Sequence, residues 1–214
     1  MLLATLMLLL AAPAASAAAT VSAKISPVEA QFGDPTKVTG TVFEDGVPAA
    51  GRAVQLEGKR YPFTGAAEPL ATATTADDGT FAFSEELDGN TVLQVTTPGA
   101  VSSRKRVYVF PATTLTFRAR GPREIKLTQR YVVPRGVKLE QPTLFYVGPR
   151  GKDRAPRAGS GTLKRTRPGR YRATAIVKIP AAWNGRFRYA SCFRYTGGSG
   201  MGNPRASCPR KFRF

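Results

Sequence analysis

Apolar residues recur at every second position through most of this chain, and no segment sustains a 3.6-residue apolar period for three turns. Side chains on a strand point alternately to opposite faces, so a period of two marks half-buried strands and leaves helices scarce. Leu115, Phe117 and Ala119 share one side of a strand; Thr116, Arg118 and Arg120 share the other. The pattern returns with Ile125 and Leu127 opposing Lys126 and Thr128, and with Tyr171, Ala173, Ala175, Val177 and Ile179 opposing Arg170, Arg172 and Lys178. Phe187, Tyr189, Phe193 and Tyr195 oppose Arg186, Arg188 and Arg194, and Phe212 and Phe214 oppose Lys211 and Arg213. Earlier, Val38 and Val42 mark one face of a strand that closes at Asp45-Gly46, and Val54 and Leu56 mark the next. Short alternating runs punctuated by Gly, Pro and Asp predict an all-β chain folded as sandwiches or a barrel, and two consecutive sandwiches are the expected architecture.

The turns carry a second level of pattern. Ala71 to Thr75 leads through Ala76-Asp77-Asp78-Gly79 to Phe81 and Phe83, which predicts a hairpin whose glycine supplies a positive φ. Leu87-Asp88-Gly89-Asn90 turns into a strand from Thr91 to Thr97, ended by Pro98-Gly99. The layout Thr39-Gly40-Thr41-Val42, Gly46-Val47-Pro48-Ala49-Ala50-Gly51, Val54-Gln55-Leu56 and Asp78-Gly79-Thr80-Phe81 resembles bacterial immunoglobulin-like and carboxypeptidase-regulatory-like modules. In those, a G-x-P-x-x-G turn precedes one core strand and a D-G-x-F turn another. The resemblance covers about residues 20–110 and implies a non-catalytic sandwich used as a spacer or adhesive module. Residues 111–214 resemble no family, and their alternation predicts a second sandwich.

Charge divides the chain at the same place. Residues before Val101 hold five Lys and Arg against eleven Asp and Glu, a formal charge of −6. From Val101 onward 27 basic residues face only Glu124, Glu140 and Asp153, a formal charge of +24. The expected organisation is a signal peptide at 1–19, an acidic immunoglobulin-like sandwich at 20–110 and a basic sandwich at 111–214.

The first residues are apolar and end in alanines, with no charge before Lys24. Ala15-Ser16-Ala17 and Ala17-Ala18-Ala19 both fit a leader cleavage motif; the competing reading is a retained N-terminal anchor. No later run is apolar for long enough to span a membrane as a helix, so the expected location is secreted, extracellular or cell-wall associated. In an exported chain two cysteines, Cys192 and Cys208, are expected to pair. Because Cys192 falls on the basic side of its strand, this disulfide is expected at the periphery.

The rows of outward arginines are the strongest functional signal, since a guanidinium fork matches carboxylate, phosphate and sulfate groups. Arg118, Arg120, Arg170, Arg172, Arg186, Arg188 and Arg194 are the candidate polyanion-binding residues. The plainer reading is that charged strand faces resist edge-to-edge aggregation. Alternation cannot tell whether these residues share one sheet. The stretch from Gly148 to Gly159 reads as a basic solvated loop, and the glycine-rich Thr196–Pro204 stretch as a flexible segment tethered by the disulfide. Asp77-Asp78 and Glu44-Asp45 suit turns better than calcium, and Trp183 suits packing better than sugar stacking.

The chain has no histidine, which removes the commonest general base. The expectation is therefore a non-enzymatic binding protein without cofactor, metal or evident small-molecule substrate. Its partner would be an anionic polymer: a wall phosphate polymer, an acidic polysaccharide or extracellular DNA. A structural or adhesive module docking on acidic modules of partner proteins is the alternative, and a hydrolase a distant third.

Overall fold

The computed structural model of the chain describes residues 18–195, 197–203, 205 and 208–213; the leader proposed from the sequence lies, as far as Ala17, outside the described residues. The first ten strands are β1 (Ala19–Ser26), β2 (Glu29–Gln31), β3 (Pro35–Glu44), β4 (Val47–Pro48), β5 (Ala53–Arg60), β6 (Glu68–Thr74), β7 (Thr80–Glu86), β8 (Thr91–Thr97), β9 (Ala100–Val101) and β10 (Lys105–Phe110). One sheet sets β1 on one side of β3 and the short β4 and the longer β7 on the other. The facing sheet runs β2-β10-β8-β5-β6, with β9 beside β8.

The remaining strands are β11 (Ala112–Gly121), β12 (Glu124–Val132), β13 (Thr143–Pro149), β14 (Arg154–Gly161), β15 (Lys164–Arg167), β16 (Arg170–Lys178), β17 (Phe187–Phe193) and β18 (Lys211–Arg213). They form the sheets β11-β12-β16-β15 and β17-β13-β14-β18. Helical turns among the described residues are two three-residue 3-10 segments, Ala181–Trp183 and Gly197–Ser199. The chain is all-β, built from sandwiches, and the period-two pattern accounts for its strands.

Each sandwich closes over the side chains that the alternation turns inward. Val38, Val42, Val54, Leu56, Leu93, Val95, Val107 and Val109 are buried in the first, and Ile125, Leu127, Phe145, Val147, Ala173 and Val177 in the second. Gly40 is needed on β3, because a Cβ there would lie 2.5 Å from the Phe81 ring and against the Ser22 carbonyl. The Asp45-Gly46 connection has φ of +50° and +82°, the left-handed pair that a two-residue hairpin demands.

Several sequence expectations are corrected. The Ala76–Gly79 turn forms, with Gly79 at φ +74°, but its flanking strands do not pair: β6 lies beside β5 in one sheet and β7 beside β3 in the other. Turn chemistry specifies a reversal, whereas pairing is set by which faces the core needs. The Gly148–Gly159 stretch is a loop only over residues 150–153, because β13 runs to Pro149 and β14 restarts at Arg154. Its Pro156 is tolerated beside a register shift between Phe145 and Tyr146. Phe117 and Ala119 do point to the core side, yet both are exposed, because β11 is an edge strand.

A single residue, Pro111, separates β10 from β11, and the core does not stop there. Tyr131, Val133, Leu139, Tyr171, Phe193 and Met201 belong to the same buried cluster as Val107 and Val109. The glycine-rich stretch that reads as flexible is, over its described part, docked on the end of the first sandwich. Met201 is 1% exposed, Gly202 N donates to the Val109 carbonyl at 2.7 Å, and Asn90 N donates to the Gly200 carbonyl at 2.8 Å. The reason is apolar: Met201 finds a pocket that alternation within one strand cannot reveal.

Cys192 and Cys208 form the expected disulfide, Cα atoms 5.6 Å apart and both residues half-buried. It closes a span of 16 residues that contains the docked segment. Replacing both cysteines by serine is expected to cost about 3 kcal/mol, read as a lower urea midpoint at unchanged slope. An unchanged midpoint would show that the docked segment holds itself in place.

Candidate anion-binding surface

Cross-strand partners share a face, so the registers of β11, β12, β16 and β15 sort the outward residues into rows. Thr114 faces Arg130, Arg130 faces Arg172, and Arg172 faces Lys164, placing three cations side by side on three consecutive strands. One step along, Arg170 stands beside Arg167. Thr116, Thr128 and Thr174 form a hydroxyl row, followed by Arg118 beside Lys126. Glu124, opposite Lys178, is the carboxylate of this face. Strands are spaced by about 4.8 Å, so the cations of the first row lie well within mutual repulsion distance. None of Arg118, Arg130, Arg170 or Arg172 is joined to a carboxylate among the described residues; the Arg52–Glu44 ion pair lies in the first sandwich.

At the end of this sheet nearest the first sandwich, a groove of about 590 Å³ opens between Gln31 and the rows just described. Arg130, Arg167, Arg170 and Arg172 line it together with Thr113, Thr114 and Thr166. Four guanidinium groups present donors from β12, β15 and β16, with the Thr114 hydroxyl beside them on β11, a set suited to oxyanions; the Thr166 hydroxyl donates to the Arg170 carbonyl at 3.3 Å. Beneath them Tyr131 and Tyr171 are buried. The Tyr131 hydroxyl bonds the Thr143 hydroxyl at 2.7 Å, and burial pushes its pKa up to about 12 despite that bond. Tyr171 donates to the Val137 carbonyl at 2.8 Å. Both phenols are thus tied to the scaffold, and Tyr131 remains neutral around pH 7.

The seven arginines singled out from the sequence do not form one patch. Arg170 and Arg172 stand in the groove. Arg118 is on the same open face but four residues along the strand, about 13 Å away, and Arg120 sits at a bulge between Ala119 and Gly121. Arg186, Arg188 and Arg194 belong to the margins and outer face of β17, in the other sheet. That outer face is partly roofed: Tyr146 is fully buried, stacks on Phe212 at 5.5 Å and donates to the Pro209 carbonyl at 2.6 Å. Burial raises the pKa of Tyr146, while nearby Arg157 pulls it down in part.

Arg130 and Arg167 escaped the sequence reading. Extending the Ile125–Leu127 alternation by one more pair reaches Gln129 and Tyr131 inside and Arg130 outside, so that signal was present. Arg167 lies beside a Pro-Gly turn on a four-residue strand and gives no alternation to follow.

The remaining candidates resolve into structure. Asp78 accepts from the Thr80 hydroxyl at 2.7 Å and the Thr80 N–H at 3.1 Å, and these bonds, the hydroxyl first, lower its pKa. It stabilises its turn. Trp183 packs half-buried against the second core, with Asn184 left-handed behind it. The named joints between the sandwiches are neutral: Asn90 with Gly202, and the Phe110 and Tyr195 rings edge to face at 5.2 Å. Burial raises the pKa of Tyr195, and neighbouring Tyr131 adds to the shift.

No protein family model and no curated protein matches the chain. Among solved structures it is similar to the native conformation of E. coli alpha-2-macroglobulin, with TM-score 0.33 and 11% identity over 84% of this chain and 13% of that one. A Salmonella alpha-2-macroglobulin mutant gives TM-score 0.35 and 13% identity over 94% of this chain and 14% of that one. The chain therefore spans only about one-seventh of the length of these structures. No helix among the described residues is long and apolar enough to cross a membrane.

Proposed function

We propose that this is an exported, non-enzymatic protein that binds an anionic polymer through the open face of the β11-β12-β16-β15 sheet, centred on the groove of Arg130, Arg167, Arg170 and Arg172. The observation that carries this reading is the like-charge row Arg130–Arg172–Lys164. Like charges placed directly opposite on neighbouring strands disfavour the empty fold. An oxyanion laid across the row removes that repulsion, so folding and binding favour each other.

The open face carries threonine and aliphatic residues among its cations. It lacks the aromatic platforms on which single-stranded nucleic acid stacks, so sulfated or phosphorylated chains fit it better. The first sandwich then serves as a spacer, in keeping with the module it resembles.

The test is the salt dependence of retention of the mature chain on immobilised heparin. Elution is expected only at high salt, as counterion release by several bound sulfates requires. It should not vary between pH 5 and 8, because the chain has no histidine. Substituting Arg186, Arg188 and Arg194 by glutamine should leave retention nearly unchanged. Elution of the unmodified chain at low salt would end the proposal in favour of a ligand-free assembly module.

A further inference from the structure

The N-terminal alanines carry a more specific inference, which rests on the export reading above. Ala15-Ser16-Ala17 and Ala17-Ala18-Ala19 suit a leader peptidase equally well, and their cut points lie two residues apart. The fold does not treat them equally. Ala19 is the first residue of β1 and pairs with Glu44. Ala18 makes a reciprocal contact with the hairpin tip beyond β3: Asp45 N donates to the Ala18 carbonyl at 3.1 Å, and Ala18 N donates to Asp45 Oδ1 at 3.0 Å. Asp45 holds the left-handed conformation of its two-residue turn. A cut after Ala19 would discard the strand pair and both bonds to Asp45.

We infer that the leader is removed between Ala17 and Ala18, and that the α-ammonium group so created at Ala18 is held by Asp45. The reaction is hydrolysis by a leader peptidase. Water adds across the Ala17–Ala18 amide, the C–N bond breaks, Ala17 leaves with a carboxylate, and Ala18 gains an amine that is protonated at neutral pH. The bond to Asp45 Oδ1 thereby becomes charge-assisted on both sides. The processing step thus completes the first strand with an ion pair at its outer end.

The full 214-residue chain, expressed in a secreting bacterial host and recovered outside the cytoplasm, is to be read by intact mass and N-terminal sequencing. A chain beginning at Ala18 is expected. A chain beginning at Thr20, or at any other processed position, overturns the inference while leaving export intact; a chain retaining Met1 overturns both. A second readout tests the ammonium contact. D45N keeps the turn and a neutral acceptor, and should lower the melting temperature of the Ala18 form by about 1–3 °C. It should have no effect in a chain made to begin at Thr20. Equal shifts in the two forms would overturn the contact between the new terminus and Asp45.

Discussion

Replacing Arg130, Arg167, Arg170 and Arg172 together by glutamine is expected to weaken heparin binding by on the order of a hundredfold at physiological salt, while making the unliganded protein slightly more stable. The loss follows from removing four charge-assisted donors from one groove, each contributing a modest net amount at a solvated site. The slope of log affinity against log salt should also become shallower by up to about four units, one for each contact to a charged group. The opposite sign of the stability change follows from the register. Arg130 faces Arg172, and Arg170 faces Arg167, so neutral side chains relieve repulsion of about 0.2–1 kcal/mol per opposed pair. A surface that served only solubility would show the second effect without the first. Calorimetric melting with and without heparin measures both: ligand should raise the midpoint of the parent protein far more than that of the variant. Equal ligand-induced shifts would place the binding surface elsewhere.

Asn90→Ala should be the most damaging single substitution at the joint between the sandwiches, costing about 3 kcal/mol and lowering the melting temperature by roughly 10 °C. Asn90 is 5% exposed, and its side chain links three segments. Its Nδ2 donates to the Gly202 carbonyl at 2.8 Å, and its Oδ1 accepts from Val109 N at 2.9 Å. Alanine leaves a buried carbonyl and a buried N–H without these partners, and each such group costs about 1–3 kcal/mol. It also loosens the seat of Met201, which closes the shared core. The disulfide holds the same segment from its other side, so losses from Asn90→Ala and from removing Cys192–Cys208 should be less than additive. Strict additivity in urea melts would show that the segment's docking and its tether act independently.

Much of the fold was legible because strand alternation is a local property. Tyr171 to Ile179 reads inward and outward from the residues alone, and β16 shows that same alternation of burial. The pairing of the two cysteines needed no coordinates either. Less was legible where a residue type has two uses. Glycine and proline near Gly148–Gly159 suggested a solvated loop, yet there they accommodate a bulged strand flanked by β13 and β18. The glycines of the cystine segment suggested mobility, yet Gly202 permits the chain to pass closely over the Tyr195 ring at φ +65°.

By itself, the sequence determined an all-β chain, a split between acidic and basic halves, and basic side chains turned away from an apolar interior. Those follow from interactions between residues one or two positions apart and from simple counting. Only the tertiary structure decided which basic residues stand together. Strand pairing joins Arg130 to Arg172 and Lys164 across distant stretches of chain, and it sends Arg186, Arg188 and Arg194 to another sheet. A period of two specifies a face but not a neighbour, and a binding surface is made of neighbours.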